Sequence, residues 1–397
     1  MKKLLVLAIF LRTLVSVFLF HPDIKTYNYQ ASFLKKGVFN IYTYLVDNKK
    51  ALPLKDDFVY FPLTYFALGG YQAIISPLLG SGFDSWLANA GSNSVVADPG
   101  IFKYLAALKL PYLVLDIAIA FLLMRFFENK EDKKKVFTFW LFNPFTIILL
   151  YAYSNVDIFP MILTVLAFLM IKKQKLFPAS ILLGLASGFK LYPLLFIPFL
   201  FLAGGNLKEK FILAATPLVT FGLIILPFIS GAFFKSALVS GLTTGIFTSN
   251  STTLGLSLLF FYAVLVDKGD QDRKKINLFN YWVALFLIIF SFSLFHIQWL
   301  LWVAPFLILI AVKKPNYSWL IFLLGILSFA IPILYMDRYM TVSLFRVYST
   351  WYDLAPTPYT IIQKVYDPYN LLAVLHSVLA AGSLAMVYKV FKEKEVL

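Results

Sequence analysis

The chain has 397 residues, of which 60% are hydrophobic and 14% charged, with a formal net charge of +15. A soluble domain carries about 25% charged residues, so these are too few to cover a water-facing surface of this size. The positive charge does not mark a nucleic-acid binder, because Lys and Arg fall in short clusters between apolar runs and no basic face with interleaved aromatics stands outside them.

In chain order the apolar segments are 4–20, 59–79, 101–127, 136–153, 156–171, 176–189, 191–203, 211–230, 251–266, 276–295, 297–312, 317–336 and 372–390. Most have bilayer length, and the short apolar/polar alternation of a membrane barrel is absent. The pattern predicts an all-α polytopic membrane protein, a single integral domain over 1–397 with 12 or 13 helices. Met1-Lys2-Lys3 and the apolar run behind them resemble a signal peptide. Arg12 interrupts that run and no small-residue cleavage site follows, so an uncleaved first helix is expected. There is no Cys, hence no disulfide and no thiolate site.

Basic clusters at Lys130–Lys135, Lys172–Lys175, Lys208–Lys210, Lys268–Lys275, Lys313–Lys314 and Lys389–Lys394 recur after every second apolar segment. By the positive-inside rule these are cytoplasmic, so the turns at 153–157, near 190, at 230–250, near 296 and at 337–371 share the other face. Residues 21–58, rich in Tyr and Asp, form an outer loop whose spacing predicts interfacial helices. Parity then requires that 59–79, which carries Pro62, Pro77 and Gly69-Gly70, either enters and returns or lies along the interface.

Chemistry-bearing residues gather at the outer turns. Asp23 directly follows the first segment. It reads either as an N-cap for a helix starting near Ile24 or as a general base at the edge of low dielectric. In FNPFTIILLYAYSNVDIFP, Asn143-Pro144 kinks a helix. Asp157 either caps the next helix or holds a sugar hydroxyl or metal ion. In GLASGFKLYP, Gly184 and Gly188 permit close helix approach. Lys190 behind them sits against the charge bias, where its ammonium suits a lipid phosphate. His296 and Gln298 in FHIQWLLWVAP occupy another outer turn. Three His in the whole chain argue against a His-rich zinc site. Within the membrane, Arg12 and Asp116 are expected to pair with each other or with backbone groups. The Asn250-Ser251-Thr252 sequon lies in a Ser/Thr-rich loop.

Taken in order, DIKTYNYQASFLKKG, YFPL, PYLVLDIAIAFLL, FNPFTIILLYAYSNVD, LLGLASGFKLYPLLFIPF and HIQWLLWVAPF resemble the GT-C fold of membrane glycosyltransferases. Within that fold the likeness is to polyprenol-phosphate-mannose-dependent mannosyltransferases, including the enzyme that adds the first mannose of GPI anchors. It covers residues 20–205 well and 290–310 in part. The resemblance implies an inverting transfer of a sugar, mannose foremost, from a polyprenyl-phosphate donor to a membrane-proximal or lipid-linked acceptor on the non-cytoplasmic side of the cell membrane. It implies Asp23 as base, with Lys190, His296 and Gln298 at the substrates; Tyr60 of YFPL and Asp157 are further substrate-binding candidates. Arg338 and Arg346 join these from charge alone. Asp23 is followed by Ile24 and Lys25 where some relatives have a tighter acidic pair, so no metal cofactor is expected. The rival reading, a flippase or transporter of lipid-linked saccharides, calls for internal symmetry between halves, and none is visible.

Overall fold

The first apolar run forms α1, Lys2–Phe18. Two polar ties fix its register against α6, Ile101–Met124. Arg12 Nε lies 2.5 Å from Asp116 Oδ2. Nearer the end of α1, Lys109 Nζ donates to the carbonyls of Ser16 (2.9 Å) and Leu19 (2.7 Å). Later residues of α6 meet earlier residues of α1, so the two run antiparallel. The structure, a computed structural model, describes residues 1–89, 98–239, 254–263, 277–293, 295–334 and 337–392. The 250–252 sequon and the 268–275 basic cluster lie outside the described residues.

Among the described residues the chain is helix and turn with no strand, an all-α polytopic membrane fold. Four helices are long and apolar enough to span a bilayer: Ile101–Met124, Leu207–Phe228, Pro315–Ile333 and Pro368–Lys392. Two bent pairs raise the number to six, Lys2–Phe18 with Pro22–Lys36 at 85° and Lys130–Leu141 with Pro144–Ala152 at 43°. Six further apolar helices have 10–17 residues. The even division expected from hydropathy is broken by Pro and Gly, which end helices early. At the second bend, α7 (Lys130–Leu141) stops and Asn143 accepts from the amides of Phe145 and Thr146, capping α8, Pro144–Ile147. The kink expected at Asn143-Pro144 is there.

The same ties carry the direction forward. Arg12 Nη1 donates to Leu141 O (2.6 Å), and Lys109 Nζ to Tyr151 O (2.6 Å). The chain therefore climbs back along α1 from residue 141 to 151. It descends in α9, Ile158–Lys172, where Lys172 Nζ reaches Phe126 O (2.6 Å) beyond the far end of α6. It rises again in α10, Leu176–Ser187. The turns at 20–23, 153–157 and 188–190 thus share one face, as the charge pattern predicted. Beyond α11, Ile197–Ala203, lies α12, Leu207–Ile225, and Gly184 lets α10 meet it: a Cβ there would lie 2.6 Å from Thr220 Cβ. A neighbouring stripe of α12 exposes Val219 (58%) and Leu223 (66%) at a helical spacing, a surface suited to lipid.

Between α1 and α6 the chain stays on that same face. It forms α2 (Pro22–Ala31), α3 (Ile41–Asn48), α4 (Pro62–Leu79) and α5 (Gly82–Ala88). Of the two arrangements open to 59–79, entry and return is ruled out, because α4 is one unbroken helix. Gly69 does not break it but admits Ala31 O and Leu34 of the preceding segment. At its start Leu63 N donates to Gly188 O (3.0 Å), and at its end Leu78 and Leu79 carbonyls accept from Lys103 near the start of α6. Both ends touch the same face of the bundle, so α4 lies along it.

Candidate functional site

Pro22 opens α2 at the position where its missing N–H costs nothing, and His21 precedes it as the N-cap. Nδ1 of His21 accepts from the amide of Asp23 (3.3 Å). Asp23 therefore does not cap; it sits in the first turn, where the helix dipole favours a carboxylate. Its Oδ2 accepts from the Tyr27 hydroxyl and lies 3.6 Å from His21 Nδ1. The Asp23 side chain is 38% exposed, while His21 is buried.

The 153–157 turn is the second wall. Ser154 takes φ +56° with its side chain fully buried. A non-glycine residue held in the left-handed region stores strain, and such strain clusters at functional sites. Asp157 stands at the N-cap position of α9 without capping it; Asn155 Oδ1 receives the Asp157 amide instead (3.0 Å). The carboxylate is turned to Lys190, whose Nζ is 2.9 Å from both oxygens. Trp302 Nε1 donates to the same carboxylate (2.7 Å), and its ring stacks on Tyr192 with centroids 4.5 Å apart. Lys190 lies over the Trp302 ring at 5.3 Å. Thus the ammonium expected to meet a phosphate is paired with an internal carboxylate, since a buried charge needs a partner.

His296 caps the short 3-10 turn Ile297–Trp302, its Nδ1 facing the amide of Gln298 at 3.4 Å. Burial, with Lys190 and His21 adding positive charge, pulls its pKa down to about 4. Gln298 joins through its backbone: its carbonyl accepts from Asn155 Nδ2 (3.3 Å). Tyr60 packs edge-on against Tyr27 with centroids 5.1 Å apart, and burial followed by the charges of Asp23 and Asp157 holds its hydroxyl protonated. The loop after residue 337 closes over His21. Tyr339 and Tyr153 meet the imidazole edge-on at 6.4 and 6.0 Å, and the Tyr153 hydroxyl donates to Met340 O (3.0 Å).

Asp23, Tyr60, Asp157, Lys190, His296 and Gln298 therefore gather at one rim of the bundle, the candidate basin. Arg338 belongs to the turn over His21. Arg346 pairs with Asp353 of its own loop, Nε to Oδ2 3.1 Å. Two contributors escaped the sequence reading. Lys109 holds the end of α1 and the Tyr151 carbonyl together; its signal was an ionisable residue inside segment 101–127. His21 was visible beside Asp23, but its orphaned ring nitrogen was not. Among the described residues no three His, Asp or Glu side chains gather as a metal-holding group.

Apolar helices with charged and hydrogen-bonding side chains meeting at their ends on one face define a polytopic membrane protein with a polar site at the bundle rim. Comparison with known families gives the activity: residues 95–331 match glycosyltransferase family 87. The match spans more than half the chain. The chain belongs to that family and is a membrane glycosyltransferase. No curated protein and no solved structure matches it. Asp157, Lys190, His296 and Gln298 lie inside the matched region, Asp23 and Tyr60 before it, Arg338 and Arg346 beyond it.

Proposed function

We propose that this glycosyltransferase has the GT-C architecture and moves a sugar, mannose foremost, from a polyprenyl-phosphate donor to a hydroxyl of a membrane-proximal or lipid-linked acceptor. One observation carries the choice of base. Asp157 is buried and bound to Lys190 and Trp302, whereas the Asp23 side chain is 38% exposed. In this reading Asp23 takes the acceptor proton as the hydroxyl oxygen attacks the anomeric carbon. The bond to the lipid phosphate breaks on the opposite side, and the configuration inverts. Tyr27, which donates to Oδ2, orients the carboxylate. The Asp157–Lys190 pair, with His296 and Gln298, frames the sugar. The basin lies at the end of the bundle away from Lys130–Lys135 and Lys172–Lys175, which supports a non-cytoplasmic site by the charge rule.

The test is a transfer assay with purified protein, comparing a panel of polyprenyl-phosphate sugars with nucleotide sugars and determining the product anomer by NMR. The reading expects turnover with a lipid-phosphate donor, an inverted product and loss of turnover in Asp23→Asn. Translocation of intact donor without bond cleavage would return the flippase reading.

A further inference from the structure

The basin's best-placed cations are already engaged. Lys190 binds Asp157, Lys109 donates to three carbonyls, and Arg12 is paired with Asp116. A leaving lipid phosphate must find its donors elsewhere. Two buried nitrogens, one on His21 and one on the turn whose Tyr339 packs against the His21 ring, have no partner. Because Nδ1 of His21 accepts the Asp23 amide, the ring proton resides on Nε2. That nitrogen is buried without a hydrogen bond. The imidazole is held between Tyr153 and Tyr339 and is 95% buried. Arg338 Nη1 is likewise buried and unpartnered, on the turn that carries Tyr339. Asp337 fixes that turn by accepting the Tyr339 amide (2.9 Å). The loop is docked on both sides of His21, through Tyr153 to Met340 O and through Phe20 N to Leu344 O (2.9 Å). Native proteins seldom leave such donors unsatisfied, and a pair of pure donors calls for an acceptor-only, anionic oxygen.

We infer that His21 Nε2 and Arg338 Nη1 together grip the phosphate of the lipid donor, and that the Asp157–Lys190 pair is a latch holding the basin rather than the phosphate contact. This rests on the proposed polyprenyl-phosphate donor. It divides the work between the loop over His21, which receives charge, and the turns at 153–157 and 188–190, whose Asp157–Lys190 pair has no net charge.

The test measures binding of polyprenyl monophosphate to the full-length protein in nanodiscs, with unphosphorylated polyprenol and inorganic phosphate as parallel probes. His21→Asn keeps an oxygen for the Asp23 amide but removes the Nε2–H. Arg338→Gln removes the guanidinium from a partly exposed side chain, so one variant stands if the other misfolds. Each is expected to weaken monophosphate binding about tenfold or more, the loss of a hydrogen bond to a charged group, with polyprenol binding unchanged. Wild-type affinity for the monophosphate in both variants overturns the inference while leaving the donor assignment standing. No monophosphate binding by the wild-type protein overturns both. Equal loss of polyprenol binding would make the two residues structural and also reject it.

Discussion

Lys190 Nζ sits 2.9 Å from each carboxylate oxygen of Asp157, joining two turns 33 residues apart in sequence. Both side chains are shielded, at 12% and 1% exposure. Removing one partner strands a charge, which costs about 3–5 kcal/mol, whereas removing both is far cheaper. Asp157→Asn and Lys190→Met should each lower stability by about that amount, and the Asp157→Asn/Lys190→Met double variant should recover much of the loss. Denaturant titration of the solubilised protein measures this; additive losses would show that the two residues act apart.

Asp23→Asn preserves the size of the side chain, the His21 cap and the α2 fold, and removes the proton acceptor. A positioned general base contributes about 10²–10⁴-fold to rate. Turnover should fall by that order with donor affinity little changed. Initial rates beside direct donor binding separate the two, and a variant at wild-type turnover would remove Asp23 from the chemistry.

Protonation of His296 sets a pH dependence with a definite sign. In the fold its pKa is near 4, against 6.5 in the unfolded chain. Between those values the unfolded state binds the extra proton, so this group's contribution to stability is intact above about pH 6.5 and declines as pH falls toward 4. The thermal midpoint should drop across this window, and His296→Gln should flatten the drop. Identical slopes in the two proteins would contradict the assignment.

Two glycines on the α10–α12 pair give opposite expectations. At Gly184 an added Cβ meets Thr220 Cβ at 2.6 Å and Pro217 O at 2.9 Å; at Gly222 it meets nothing within 4 Å. Gly184→Val should cost about 1–3 kcal/mol through overpacking. Gly222→Ala should be neutral or stabilising by up to about 1 kcal/mol, as Ala favours a helix. Unfolding midpoints of the two variants decide it.

Much of the architecture was legible in one dimension. Apolar runs identified the helices, and the spacing of Lys clusters placed the turns at 23, 157, 190 and 296 on one face. Arg12 and Asp116 could be expected from sequence to pair with each other or with backbone groups, because a lone charge in hydrocarbon is too costly to leave unmatched. Lys190 shows where that reading stopped. Its place at the outer turn was visible, but its partner was not, since Asp157 read equally as a helix cap or as a ligand for a sugar hydroxyl or metal ion.

The linear chain determined which stretches leave water and on which side their ends emerge, because hydrophobic burial and loop charge act on each segment separately. Tertiary packing alone decided that α4 lies along the bundle, that Lys109 ties the end of α1 to the Tyr151 carbonyl, and that His21 and Arg338 each keep a buried nitrogen without a partner. Those outcomes depend on distances between residues far apart in sequence, and hydrogen bonds and ion pairs are specific only at such distances.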